Sequence, residues 1–245
     1  MDQPRFQLTQ GDAVAWLRTL PAGSVDLVIT DPPYESLEKH RAIGTTTRLK
    51  NSKASSNAWF AIFPNARFPE LFAEAYRVLR KDSHFYLYCD PETMFVAKPM
   101  AEAAGFKFWK PLIWNKVSIG MGYHYRARYE CVLFFEKGKR KLNDLGVADI
   151  IEQKRISGGY PAEKPPEVSE VLIRQSSEPG QLVVDPFSGS GSVGVAAVRN
   201  GRDFRGNDLC LEAIEIAKSR VMAEGAHEGV RAVREETVPQ LGLTL

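Results

Sequence analysis

The sequence predicts an α/β fold: a doubly wound, mostly parallel sheet with helices on both faces. Three observations predict it. Short runs of β-branched and apolar residues alternate along the chain with helical stretches of about ten residues. One such run, Leu182 to Val184, passes straight into a glycine-rich turn that opens a helix. Another, Val25 to Thr30, is bounded by turn formers and reads as a buried strand. A chain of 245 residues suits one large domain or two small ones. Without an internal repeat, the expectation is one domain over 1–245 carrying a polar insertion.

In chain order, Asp12 to Leu20 sets Val14, Leu17 and Leu20 at helical spacing, and Pro21-Ala22-Gly23 ends that helix. The strand Val25 to Thr30 runs into Asp31-Pro32-Pro33-Tyr34. Residues 35–67 are polar with no sustained period, which reads as a mobile loop facing a partner. A helix follows over Glu70 to Arg80, then a strand from His84 to Tyr88, a helix from Met94 to Gly105, and strands Phe108 to Asn115 and Tyr129 to Glu136. Lys137 to Lys164 reads as a short linker or a reduced lobe. Pro165 opens a helix to Ser176, where the missing N–H costs nothing. Strand Leu182 to Val184, helix Val193 to Asn200, strand Asp203 to Asp208 and helix Leu211 to Glu224 complete the alternation.

Composition narrows the class. With 44% hydrophobic and 25% charged residues the chain is neither disordered nor fibrous. No apolar run approaches the roughly 18 residues of a membrane span. The N-terminus lacks a secretory pattern, so the expected location is the cytoplasm. Cys89, Cys131 and Cys210 are too scattered for a disulfide framework or a metal cluster, and no metal is expected. Lys+Arg 32 against Asp+Glu 30 leaves a net charge of +2, so attraction to a polyanion must come from clustering. Lys39, Arg41, Arg48, Lys50 and Lys53 form one acid-free cluster. Another runs from Lys107 to Arg128, including Arg126 and Arg128, interleaved with Trp109, Trp114, Tyr123 and Tyr125. Such segments are where phosphate contacts are expected.

Asp185-Pro186-Phe187-Ser188-Gly189-Ser190-Gly191-Ser192-Val193-Gly194 carries G-x-G-x-x-G between strand and helix, and Asp208 ends the next strand 19 residues after Gly189. Glycines admit a ligand close to the backbone, the helix N-terminus offers N–H groups, and the carboxylate suits ribose hydroxyls. The loop alone does not separate NAD from S-adenosylmethionine.

The Asp31-Pro32-Pro33-Tyr34 segment lies at the C-terminal edge of a strand, where ligands of parallel sheets bind. Two prolines keep the backbone stiff and non-helical. The Asp31 carboxylate and the Pro32 carbonyl then make two acceptors on a rigid shelf, matched to the two donors of an NH2 group. Tyr34 adds a plate for stacking a ring, worth about 1–3 kcal/mol per base. Accepting both N–H bonds would localise the lone pair of an exocyclic amine and let it attack a sulfonium methyl. A duplex hides that nitrogen, so the base would be flipped out.

With these residues in view, Gly11-Asp12, Trp16-Leu17, Leu20-Pro21 and Ser24 to Tyr34 resemble the opening of amino-group DNA methyltransferases. Lys164-Pro165, Leu172-Ile173, Pro179-Gly180 and Asp185 to Gly191 resemble their cofactor half, in the order of the β class. The resemblance implies S-adenosylmethionine, a seven-stranded sheet with one reversed strand, and methylation of adenine N6 or cytosine N4 in double-stranded DNA. An Asp at the first shelf position is similar to the adenine members; the cytosine members more often carry Ser. By the same resemblance Asp12, with Ala13 beside it, matches a position contacting the cofactor's adenine. Asp31, Pro32, Pro33 and Tyr34 match the catalytic shelf, where Asp31 also borders the cofactor. Asp185, Phe187, Gly189, Ser190, Gly191 and Ser192 match the cofactor loop, and Asp208 the ribose-binding acid, more often Glu in relatives. Lys164, a cofactor contact by that resemblance, follows Ala162-Glu163 where relatives read Thr-Gln. Homodimers are common in that class, so a homodimer is a further expectation. The rivals are an N4-cytosine enzyme, an RNA or protein-amide methyltransferase, an NAD-dependent oxidoreductase and a DNA-binding protein without activity.

Overall fold

A computed structural model describes residues 3–36, 61–120, 125–156 and 163–230. The polar stretch after Tyr34 therefore lies mostly outside the described residues, and with it Lys39, Arg41, Arg48, Lys50 and Lys53. The described chain forms β1 (Arg5–Gln10), α1 (Ala13–Thr19), β2 (Val25–Thr30), α2 (Phe68–Val78), β3 (Leu79–Cys89), α3 (Pro91–Ala103), β4 (Lys107–Asn115) and β5 (Tyr129–Lys137). It continues with β6 (Ile150–Glu152), α4 (Pro166–Ser176), β7 (Leu182–Asp185), α5 (Ser192–Arg199), β8 (Asp203–Asp208), α6 (Leu211–Ala223) and β9 (His227–Glu228).

One sheet takes the order β6-β4-β5-β3-β2-β7-β8-β1-β9. Its seven longer strands are the expected seven, and β5 alone opposes its neighbours, pairing antiparallel with both β3 and β4. The pairs β2–β3, β2–β7, β7–β8 and β1–β8 are parallel. Three strands escape the residue patterns. β1 offers only Phe6 and Leu8 as apolar anchors, too few to stand out. β6 and β9 are three and two residues long and exist because they add to β4 and β1. β6 falls within the Lys137 to Lys164 stretch that the sequence leaves as linker or lobe.

The sheet is buried on both faces by alternate residues. Val28, Phe85, Leu87, Leu133 and Phe135 pack with Leu17 of α1, Phe72 of α2 and Ala97 of α3. Leu27, Ile29, Tyr86, Val132 and Phe134 pack with Leu172 of α4, Val195 of α5 and Val221 of α6. The doubly wound expectation holds. Among the described residues no helix is long and apolar enough to cross a membrane.

The topology decides where chemistry can collect. β2 continues to β3 on one side, while its other neighbour β7 continues to β8 on the far side, so a crevice opens at the carboxyl ends of β2 and β7. Asp31, Asp185 and Asp208 all stand at that edge. Because β5 runs in reverse, its first residues arrive at the same edge, beside the end of β4.

Candidate active site

A cavity of about 580 Å³ opens at this edge, lined by both halves of the chain. Asp12, Ala13, Asp31, Pro32, Pro33, Tyr34, Lys164, Asp185, Phe187, Gly189, Ser190, Ser192 and Asp208 lie on its wall. Of the residues the sequence proposes for this pocket, only Gly191 stays off the wall. Its place is at the N-cap of α5 with φ +81°, where an added Cβ would come within 2.9 Å of the Ala217 backbone. Gly191 and Gly194 thus serve packing of helix on helix and strand. Gly189 is different: its φ is +48° and nothing stands within 4 Å of where a Cβ would go. Arg126 and Arg128 are exposed on the segment leading from β4 to β5, with Arg128 Nε donating to Asn115 Oδ1 at 3.0 Å.

The shelf is built as its prolines require. Among the described residues nothing donates to the Pro32 carbonyl, while the Pro33 carbonyl accepts from Phe63 N at 2.7 Å. Tyr34 bridges to Phe63 and is largely buried, so much of the stacking face expected of it is already covered. Phe63 also meets Phe187 edge-on, with centroids 5.0 Å apart.

Asp31 is gripped from the side. Its Oδ2 lies 2.5 Å from Lys164 Nζ, which also stands 3.3 Å from Glu130 Oε2. Glu130 Oε1 lies in turn 2.5 Å from Lys116 Nζ, so two carboxylates and two ammonium groups alternate. Burial pushes the Asp31 carboxyl up, against the opposing pull of Lys164. Burial also works against the Lys164 charge, yet Asp31 and Glu130 hold that ammonium well above the lysine range. Glu130 feels the same burial but is kept below the usual carboxylate range by Lys164 and Lys116.

On the other side of the cavity, Asp208 receives Gly189 N–H on Oδ2 at 2.8 Å and Cys210 N–H on Oδ1 at 2.9 Å, with Leu209 N–H as a third donor. Burial pushes Asp208 up, with those N–H groups opposing. Asp185 is pushed up to about 8 by burial, despite bonds from Thr30 Oγ1 and Phe187 N. Asp12 caps α1 through Ala15 N and is held bidentately by Arg67 at 2.7 and 3.0 Å, which lowers its carboxyl to about 2. Arg220 donates to Ser190 O and Oγ and pairs with Glu163 at 2.7 Å, tying the glycine loop to the residue before Lys164.

Phe63, Arg67, Glu130, Glu163, Ser169 and Asn207 also line the cavity, and the sequence reading singled out none of them as a site residue. Glu130 had a visible signal: it is an acid entering a strand that is otherwise apolar through Phe135. Arg67 had none, since its role depends on reaching Asp12 across 55 positions.

Two features say what guest suits this wall. Ser188 Oγ and Asn207 Oδ1 are buried there without a hydrogen-bond partner among the described residues, a state that calls for a polar guest. The wall also carries six acids (Asp12, Asp31, Glu130, Glu163, Asp185, Asp208) against Arg67 and Lys164. Lys116 and Arg220 pair with Glu130 and Glu163 from outside the wall, and the unpartnered oxygens left on it suit a ligand with hydroxyl donors.

The family described as DNA methylase matches residues 25–219. DNA adenine methyltransferase YhdJ of Escherichia coli (strain K12) is 28% identical over 255 residues, covering 87% of this chain and 82% of that protein. The solved complex of M1.HpyAVI with SAM superposes with a TM-score of 0.66 at 21% identity, over 88% of this chain and 99% of that one. The cytosine-N4-specific PvuII DNA methyltransferase superposes with a TM-score of 0.70 at 19% identity, over 89% and 86%. At such identities the two structures establish the fold. The family match spans the shelf, the acid entering β5 and the glycine loop, and by it this chain belongs to the DNA methylases of the N6/N4 amino-methyltransferase family.

Proposed function

We propose that the protein transfers a methyl group from S-adenosylmethionine to adenine N6 in double-stranded DNA. The observation that carries this reading is the pairing of a proline-stiffened shelf with an acid-rich cavity on one sheet edge. When bound, S-adenosylmethionine supplies an electrophilic methyl group. Asp208 would hold its ribose hydroxyls, Gly189 and Phe187 would border it, and Asp31 would face its positive charge. The unpartnered Ser188 and Asn207 oxygens offer it further acceptors.

The chain's own task is to hold the target nitrogen. Asp31 and the Pro32 carbonyl accept its two N–H bonds, which disfavours delocalisation of the lone pair into the ring. The nitrogen gains a methyl group and sheds one proton, and the Asp31 carboxylate is the nearest base on the shelf. Reaching it requires the base to leave the duplex, at a cost of a few kcal/mol. Arg126 and Arg128, exposed on the segment that leads to Glu130 of the cavity wall, would meet phosphate. Lys39, Arg41, Arg48, Lys50 and Lys53 are assigned the same role from their sequence alone.

Adenine is favoured over cytosine by Asp at the first shelf position and by the similarity to YhdJ over most of both chains. The test is incubation of unmethylated DNA with tritiated S-adenosylmethionine, followed by nucleoside analysis. Label in N6-methyl-2′-deoxyadenosine that vanishes in Asp31→Ala supports the reading. Label in N4-methyl-2′-deoxycytidine assigns the other base, and label in neither overturns the proposal.

A further inference from the structure

Lys164 stands one residue before the Pro165 that leads into α4, and it points its ammonium at Asp31, not at the glycine loop. It is shared: Nζ is 2.5 Å from Asp31 Oδ2 and 3.3 Å from Glu130 Oε2. The four side chains of the alternating row are all largely covered, at 26%, 14%, 20% and 13% exposure for Asp31, Lys164, Glu130 and Lys116. Charges so placed are weakly screened, so removing any one must be felt by the others. The row is neutral as a whole, and Asp31 is its only member on the shelf.

We propose that Lys164 and Glu130 are a pair of positioning residues that set the charge and orientation of the Asp31 carboxylate for methyl transfer. Lys164 keeps Asp31 ionised in a recessed site and occupies one of its oxygens, leaving the other for the target amine. Glu130 draws part of the Lys164 charge away, so that Asp31 is not fully neutralised and stays a strong acceptor. The inference deepens the proposed reaction and rests on it for its purpose, although the coupling itself can be read without substrate.

The two residues must push Asp31 in opposite directions. Loss of the Lys164 cation leaves Asp31 near the Glu130 anion and raises its midpoint. Loss of the Glu130 anion leaves Asp31 with two cations and lowers it. The other titratable groups around Asp31 are Tyr34 beside it on the shelf, Tyr88, Cys89 and Asp90 at the end of β3, and Asp185 at the end of β7. Tyr34, Tyr88 and Cys89 are held neutral by burial, and Asp185, pushed up to about 8, is mostly protonated below that pH, so Asp90 is the remaining source of negative charge.

The experiment titrates the full chain labelled with carbon-13 at aspartate carboxyls, free of DNA and cofactor, with Asp31→Asn identifying the resonance. Lys164→Met is expected to move the Asp31 midpoint up by about one pH unit or more, and Glu130→Gln to move it down by roughly half a unit. Lys116→Met, at the outer end of the row, is expected to raise it by less than Lys164→Met does. The acid limb of single-turnover methylation should follow the same three shifts. Midpoints that move in one direction for both central variants, or that do not move, overturn the inference. Should either central variant fail to fold, an unmoved midpoint in Lys116→Met overturns it and a raised one supports it. Since the resonance needs no substrate, failure here is distinguishable from a chain that titrates as expected but methylates no DNA.

Discussion

Three glycines of one motif do three different jobs. The spacing G-x-G-x-x-G announces a ligand loop, and the loop does line the cavity, but only Gly189 has a Cβ position that opens onto free space. At Gly194 a Cβ would stand 2.6 Å from the Phe204 ring, so this glycine lets α5 settle onto β8. Substitutions should separate the roles. Gly194→Ala is expected to destabilise the fold by about 1–3 kcal/mol through overpacking, with S-adenosylmethionine affinity intact in the folded fraction. Gly189→Ala is expected to cost only about 1–2 kcal/mol for its left-handed backbone, while weakening S-adenosylmethionine binding several-fold. Differential scanning calorimetry and titration calorimetry on the same preparations check both. What sequence could not distinguish was packing from binding, because both ask for the same missing side chain. Lys164 poses the same kind of problem: its motif was legible, but its partner Glu130 is brought to it only by a reversed strand.

Elements were easier to read than contacts. β2 and β8 span the residues expected of them, and each helix begins within a few residues of its expected start. Departures have identifiable causes. β3 begins at Leu79, five residues early, because Leu79 pairs with Val25 of β2 ahead of an irregularity before His84, within which Asp82 takes φ +58°. α3 starts at Pro91 and not at Met94, because Asp90 caps it by accepting Thr93 N–H at 2.8 Å and proline fits the first turn. Asp90→Ala is accordingly expected to cost about 1 kcal/mol, seen as a lower urea midpoint with an unchanged slope. The short edge strands β6 and β9 carry no periodic signal of their own. They form only where β4 and β1 offer unpaired backbone, which is a property of the assembled sheet.

At the scale of the whole molecule, two buried groups give stability a defined dependence on pH. His84 is fully covered between Ser176 Oγ and the Arg140 carbonyl, and burial lowers it to about 4. The unfolded chain binds that proton near pH 6.5, so His84 alone makes stability fall as pH drops from about 6.5 to 4. Asp185, raised to about 8, takes up a proton on folding and works the other way, its contribution being lost as pH rises from about 4 to 8. The two should nearly cancel between pH 4 and 6.5 and leave a decline from 6.5 to 8 in the cofactor-free protein. Asp185→Asn should abolish that decline and expose the His84 slope, on the order of 2–3 kcal/mol, in melting temperatures measured across this range. The sheet's far edge has a different bearing on the molecule. His227 N donates to the Pro4 carbonyl at 3.1 Å and β9 pairs with β1, so the outermost described strands lie side by side in parallel. A peptide link between those two strands would close a loop whose entropy the sheet has already removed, and new termini could be opened at an exposed turn elsewhere. The order in which the chain visits the Asp31 shelf and the glycine loop would then depend on where the ring is cut, while the crevice between β2 and β7 would keep both of its walls.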